Sequence, residues 1–167
     1  LLNEGKLEEA QELLNSIEDA DELVTLTDIV YLFLDLGYPE NARKWLENGK
    51  KRYAEEQDYL ALTADYLFAT HQHEAAAKAY NKLIDKAPYN ASYWMGLAKI
   101  HFIEENVDKA IEACDFALAA NENCGDAYAY KAHSFFYLNN ADEAIENYQK
   151  AIAYTSIPPE LGYMFMG

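Results

Sequence analysis

The chain has 167 residues, and 51% of them are hydrophobic, which is enough to bury the core of one ordinary domain and argues against disorder. The 29 acidic residues outnumber the 13 basic ones, so the formal net charge is −16 and neither nucleic acid nor an anionic membrane surface is an expected partner. No apolar run reaches the ~18–20 residues of a membrane span, and no signal segment opens the sequence.

Side chains of similar size recur every 34 residues, with no insertion between residues 23 and 158. One column of small residues reads Ala42, Ala76, Ala110 and Ala144, and a second reads Val30, Ala64, Ala98 and Ala132. A column of large residues reads Leu26, Leu60, Trp94 and Tyr128. Agreement of several columns at one period indicates a repeat protein.

The order of elements along the chain follows from this period. Each repeat holds two apolar stripes at helical spacing, separated by a turn signal such as Gly37-Tyr38-Pro39. Pro39 suits the first position of a helix and Asn140 suits an N-cap, so each repeat is predicted to form two helices. The predicted segments are the second helix of a partial repeat (1–22), four full repeats (23–56, 57–90, 91–124 and 125–158) and the start of a further repeat (159–167).

This pattern resembles the tetratricopeptide repeat family. Repeat 91–124 carries the resemblance best, although Cys114 stands where an aromatic residue is usual and Glu122 where proline is usual. The residues that match the family pattern there are Trp94, Leu97, Ala98, Ala110 and Ala117. The resemblance implies an all-α fold, a right-handed α-solenoid of stacked antiparallel helix hairpins. Neither end carries the polar capping helix of a closed solenoid, so we expect an interior segment of a longer array.

The sequence contains none of the motifs that would indicate an enzyme. There is no glycine-rich phosphate loop, nucleophile elbow or metal-binding helix motif, so we expect neither an enzyme nor a cofactor. The His-rich segment 71–74 is more simply a turn than a metal site. Cys114 and Cys124 match no metal or redox spacing and fit a reducing compartment such as the cytoplasm. His101 falls in a core column, where we expect it to be buried and hydrogen-bonded.

In the family that the chain resembles, the first helix of each repeat lines a concave face. The inward stripe of these helices interleaves aromatic residues with aspartates, and in repeat 91–124 it also includes Met95. Such a surface suits a protein or peptide with apolar anchors and basic residues, so we predict a protein-binding scaffold. The candidate binding residues are Asp28, Tyr31, Asp58, Asp65, Phe68, Phe102, Asp126, Tyr130, His133, Phe136 and Tyr137.

Two alternatives qualify this prediction. Phe68, Phe102 and Phe136 occupy one column, which packing between successive repeats explains equally well. A structural spacer, or end-to-end self-association through apolar ends at residues 13–14 or 164–166, is the alternative function.

Binding of an acidic peptide terminus is excluded. Members of the family that bind the terminal carboxylate of a chaperone use Lys, Asn and Arg on their first helices, and an acidic surface repels such a ligand. The matching positions here, none of them basic, are Val24, Asp28, Asp58, Leu62, Ser92, Gly96, Asp126 and Tyr130.

Overall fold

The computed structural model describes residues 22–155, which form eight α-helices and no strand. Helices begin at Leu23, Gln57, Ala91 and Gly125, and these starts share the 34-residue interval of the sequence repeat. The helices are α1 (Leu23–Asp35), α2 (Pro39–Tyr53), α3 (Gln57–Ala69), α4 (His73–Lys86), α5 (Ala91–Ile103), α6 (Val107–Ala120), α7 (Gly125–Tyr137) and α8 (Ala141–Tyr154).

The described helices divide into two compact units. Unit 1 holds α1 to α3 and ends at Gln72, and unit 2 holds α4 to α8 and begins at His73. The predicted partial repeat (apart from Glu22), the further repeat at 159–167 and both apolar ends lie outside the described residues.

Unit 1 is an antiparallel hairpin, α1 and α2, with α3 packed against both helices. The hydroxyl of Tyr59 on α3 donates to the carbonyl of Leu46 on α2 at 2.7 Å, so the buried phenol satisfies its polar atom. Gly49 on α2 leaves room for the side chain of Leu26, which a Cβ would overlap. The core of the unit consists of Leu26, Ile29, Val30, Phe33, Ala42, Leu46, Tyr59, Leu62 and Tyr66.

Unit 2 depends on small residues where its helices meet. Gly96 on α5 faces the ring of Tyr80 on α4, which a Cβ at that position would overlap. An ion pair between Lys131 and Asp115, at 2.5 Å, joins α7 to α6. The buried alanines of the two small-residue columns, each 0–2% exposed, are Ala76, Ala98, Ala110, Ala132 and Ala144. Absence of a larger side chain at these positions lets neighbouring helices approach closely.

The structure corrects three details of the sequence analysis. Met95, predicted on the exposed inward stripe, is 5% exposed because α5 packs against α4, α6 and α7 at once. His101 is only partly buried, and its Nδ1 makes no hydrogen bond, lying 4.0 Å from the Glu104 carboxylate. Asn140 occupies the N-cap of α8 and Pro39 opens α2, both as predicted, but the Asn140 side chain makes no capping hydrogen bond.

Helices α1, α3, α5 and α7 are each followed by a residue in the left-handed region. At the end of α1, the N–H of Gly37 donates to the Leu34 carbonyl and that of Tyr38 to the Phe33 carbonyl, at 3.0 and 2.8 Å, which is the Schellman arrangement. The same pair of bonds ends α3, α5 and α7. The left-handed residues, again 34 positions apart, are Gly37 (φ 77°), His71 (φ 59°), Glu105 (φ 59°) and Asn139 (φ 61°). Only the first of them is glycine, the residue that adopts this conformation without strain.

We predict that Glu105→Gly stabilises the protein by about 0.5 kcal/mol, because relief of left-handed strain exceeds the entropy that glycine loses on folding. Gly37→Ala should cost about 1 kcal/mol through backbone strain alone, since a Cβ there meets nothing within 4 Å. Denaturant unfolding measures both changes. The control is Glu104→Gly, at an ordinary φ of −79°, which should destabilise. Equal losses for Glu104→Gly and Glu105→Gly would contradict the strain argument.

Candidate functional site

A cavity of about 330 Å³ lies between α1 and α3 in unit 1. Its residues come from one face of each helix, at i, i+3, i+4 and i+7 along α1. Three of the candidate binding residues, Asp28, Tyr31 and Asp58, meet there. The full lining is Leu23, Val24, Thr27, Asp28, Tyr31, Asp58, Ala61 and Leu62.

One wall of the cavity is held by a hydrogen bond between helices. The hydroxyl of Tyr31 on α1 donates to the carboxylate of Asp65 on α3. Burial, and then this carboxylate, raise the pKa of the Tyr31 phenol above its ordinary value, so the phenol stays neutral. The Asp65 carboxylate is thereby occupied, and the ring of Tyr31 is fixed in place beside the cavity.

The cavity combines apolar surface with free negative charge. Leu62 is buried, whereas Val24 is 68% exposed. Asp28 and Asp58 are exposed, and neither makes a hydrogen bond or ion pair within residues 22–155. Phe68, further along α3, is half-buried and does not line the cavity. The chemistry available is therefore binding of a group that is partly apolar and partly cationic.

In unit 2, three further candidate residues pack on one another. The rings of Phe102 on α5 and Tyr130 on α7 meet edge to face, with centroids 5.8 Å apart. The ring of His133 lies 6.2 Å from each of them, and its Nδ1 is 2.6 Å from the hydroxyl of Tyr148 on α8. This cluster joins three helices, which favours packing between repeats as the role of the phenylalanine column. Tyr148 was missed because its column belongs to the second helices.

The remaining candidates in unit 2 are open to solvent. Phe136 is 70% exposed and Tyr137 is 55% exposed, near the end of α7. Asp126 is exposed in the first turn of the same helix. A second cavity of about 640 Å³, which the sequence did not suggest, lies where residues 86–92 approach the end of α6, beside Tyr89. In the sequence, only the turn residues between α4 and α5 mark the place of this second cavity.

Two features of residues 22–155 bear on metal binding and thiol chemistry. No three His, Cys, Asp or Glu residues between 22 and 155 are placed to hold a metal ion. Burial raises the pKa of the Cys114 thiol to about 12, so this sulfur is protonated and unreactive at neutral pH. Over the same residues, no helix has both the length and the apolar character that crossing a bilayer requires.

The burial of His133 predicts a pH dependence of stability. Burial lowers the folded pKa of His133 below the ~6.5 of an unfolded chain, so the unfolded state binds more protons as pH falls through about 6.5. The free energy of unfolding should therefore fall between pH 7.5 and 5.5, and His133→Asn should reduce this fall. His101, whose pKa is lowered by burial and then by Lys109, should supply the slope that remains. Denaturant unfolding at several pH values is the measurement.

Tyr148→Phe provides the control for this prediction, because it removes the hydroxyl and keeps the ring that buries His133. It should retain the parent's pH dependence. If His133→Asn showed the same slope as the parent, burial of the imidazole would not contribute.

Two family models and one known relative match the sequence of this chain. One tetratricopeptide repeat model matches residues 27–91 and 61–124, and another matches residues 125–156. Anaphase-promoting complex subunit 7 of Dictyostelium discoideum is 31% identical over 74 residues. That match covers 44% of this chain and 13% of the relative, so the chain corresponds to a small part of that protein.

Several solved structures share the fold. A crystal structure of MamA is 20% identical, with a TM-score of 0.64, over 86% of this chain and 83% of that one. MamA 41-end from Desulfovibrio magneticus RS-1 is 17% identical, with a TM-score of 0.68, over 92% and 88%. The first TPR of Spaghetti (RPAP3), bound to the HSP90 peptide SRMEEVD, is 22% identical, with a TM-score of 0.59, over 62% and 82%.

At these identities the likeness concerns the fold alone, and the fold is an all-α solenoid of antiparallel helix hairpins. The family models cover most of the chain and run through all eight described helices. The chain belongs to the tetratricopeptide repeat family.

Proposed function

We propose that this chain is a scaffold module that binds a segment of another protein on the exposed surface of its first helices. The observation that carries the proposal is the cavity between α1 and α3, which joins an apolar lining to two free carboxylates. Two relatives support it by their names, since one is a subunit of a protein complex and the other is bound to a peptide. The proposed activity is binding rather than catalysis.

The proposed partner carries apolar anchors and basic residues. The net charge of −16 disfavours nucleic acid and anionic membranes as partners. The peptide bound to the RPAP3 repeat, SRMEEVD, has an acidic end, which the aspartates of the α1–α3 cavity would repel. In unit 2, Phe136 and Tyr137 are proposed as apolar contacts, whereas Phe102, Tyr130 and His133 act by holding their helices together. The two free thiols favour a cytoplasmic location.

A random 12-residue peptide library displayed on phage and selected against the full chain tests this proposal. Val24→Ser should weaken binding of the recovered peptides by about 1–2 kcal/mol, or roughly fivefold to thirtyfold in Kd, because it removes exposed apolar surface from the cavity. The melting temperature should hardly change, since Val24 is 68% exposed. Fluorescence anisotropy with labelled peptides gives the affinities.

The matched control is Leu32→Ser, which removes a partly exposed apolar side chain (41%) from α1 itself but outside the cavity lining. It should leave peptide affinity unchanged. Failure to recover any peptide, or equal losses from the two variants, would count against the α1–α3 surface as a site that binds a protein segment.

A structural spacer that associates with itself remains a second candidate, and one observation favours it. Phe102 is covered by Tyr130 and His133 of the next hairpin, while Phe136, in the same column, is 70% exposed. The face around Phe136 on α7 therefore resembles, at this position, the face at Phe102 that receives the next hairpin. Other exposed apolar side chains at the end of α7 and on α8 are Tyr137, Leu138, Ile145 and Tyr154.

If a second copy binds this face, sedimentation velocity should show a species that grows with protein concentration, and Phe136→Ser should abolish it. An exposed phenylalanine ring is an apolar anchor of the kind that dominates the energetics of protein interfaces. The control is Tyr89→Ser, which removes a similarly exposed aromatic (87%) from the α4–α5 junction. A monomer at every concentration would exclude the spacer model in its self-associating form.

A further inference from the structure

The lysine and arginine residues of unit 1 that the structure describes all lie on one helix. Helix α2 carries five of the chain's 13 basic residues, whereas α1 and α3 together carry four aspartates and no basic residue. The acidity of the cavity is therefore not a simple consequence of the net charge, because basic side chains are present in the same unit but lie on the helix that does not line it. The basic residues of α2 are Arg43, Lys44, Lys50, Lys51 and Arg52.

Two of the four aspartates are left for a ligand. Asp65 accepts the hydrogen bond of Tyr31, and Asp35 does not line the cavity. Asp28 and Asp58 do line it, one from each helix, and within the described residues no side chain or backbone group pairs with either carboxylate. Two unpaired like charges beside one cavity repel each other, and a cation bound between them relieves this repulsion.

The rest of the cavity suits a hydrocarbon stem. The apolar lining extends from buried Leu62 through half-buried Ala61 to exposed Val24. A chain of methylene groups can therefore pack along it while its charged end stays near solvent. A volume of about 330 Å³ is near the lower end of the ~300–1,000 Å³ of ligand pockets. The cavity therefore has room for one long side chain.

We propose that this cavity is a specificity pocket for one lysine or arginine side chain of the bound segment, an inference that rests on the proposed scaffold function. The methylene stem packs on Val24, Ala61 and Leu62, and the cationic group is attracted by Asp28 and Asp58. The ring of Tyr31, held by Asp65, adds an aromatic wall beside the cation. Because recognition depends on charge, acetylation of the lysine or conversion of the arginine to citrulline removes it.

The pocket is tested directly with n-butylguanidinium, a fragment that carries the stem and the charge of arginine, against n-butylurea, a neutral molecule of nearly the same shape. Each fragment is titrated into the ¹⁵N-labelled full chain and followed by amide chemical shifts. We expect saturable shifts at Val24, Asp28, Asp58 and Ala61 with n-butylguanidinium, weaker at high salt, and at least fivefold weaker binding of n-butylurea.

The double variant Asp28→Asn/Asp58→Asn should weaken n-butylguanidinium binding roughly threefold to tenfold and leave n-butylurea unchanged. The matched control, Asp35→Asn/Glu55→Gln, removes two exposed charges of unit 1 outside the cavity and should bind as the parent does. Equal binding of the two fragments, shifts that map elsewhere, or equal effects of the two double variants would overturn the proposal. Melting curves of all variants verify that each is folded.

Peptides recovered by phage selection separate this inference from the proposed function. Replacing the basic residue of a recovered peptide by citrulline or acetyl-lysine should weaken its binding to the parent several-fold, and weaken it far less in Asp28→Asn/Asp58→Asn. If the recovered peptides bind without a basic residue, the scaffold function is supported and the cation pocket is contradicted. If no peptide is recovered but n-butylguanidinium still binds at the cavity, the pocket is supported and the scaffold function is contradicted.

Discussion

Close approach of helices over small residues is the constraint on which the structure depends. Ala76, Ala98, Ala110 and Ala132 are almost completely buried, and Gly96 lets the ring of Tyr80 reach the backbone of α5. A methyl group or a hydrogen at these positions brings two backbones together, so that large side chains from the flanking positions fill the space beside them. The helices are thereby held in place, and exposed side chains of the first helices, such as Asp28 and Asp58, are presented to solvent while others, such as Met95, pack inside.

The fold was predictable from the sequence because its signal repeats. The columns of Ala110 and Ala98 recur at one period, and the helix starts at Leu23 and Ala91 preserve that period. Details that depend on how many neighbours a helix has were less predictable. Met95 shares the stripe of Phe102, yet it is buried because other helices cover α5 on several sides. The spacing of apolar residues along one helix does not predict how many neighbours that helix has.

The candidate site was predictable only in part. Asp28, Tyr31 and Asp58 do gather at one cavity, because helical spacing on neighbouring first helices determines which side chains share a face. Neither the bond from Tyr31 to Asp65 nor the cluster around His133 could be read from the sequence. Both depend on contacts between different helices, and these contacts decide which aspartate stays free and which aromatic rings pack inside.

The constant interval between helix starts has a consequence for how such a chain changes in evolution. Gain or loss of a whole 34-residue repeat keeps every column of small residues in register with its neighbours. Insertion of a single residue within a helix instead rotates all later side chains of that helix by about 100° and moves alanines off the helix–helix interface. Length variation is therefore tolerated in whole repeats, and the array can lengthen or shorten while each pair of neighbouring helices keeps the same packing.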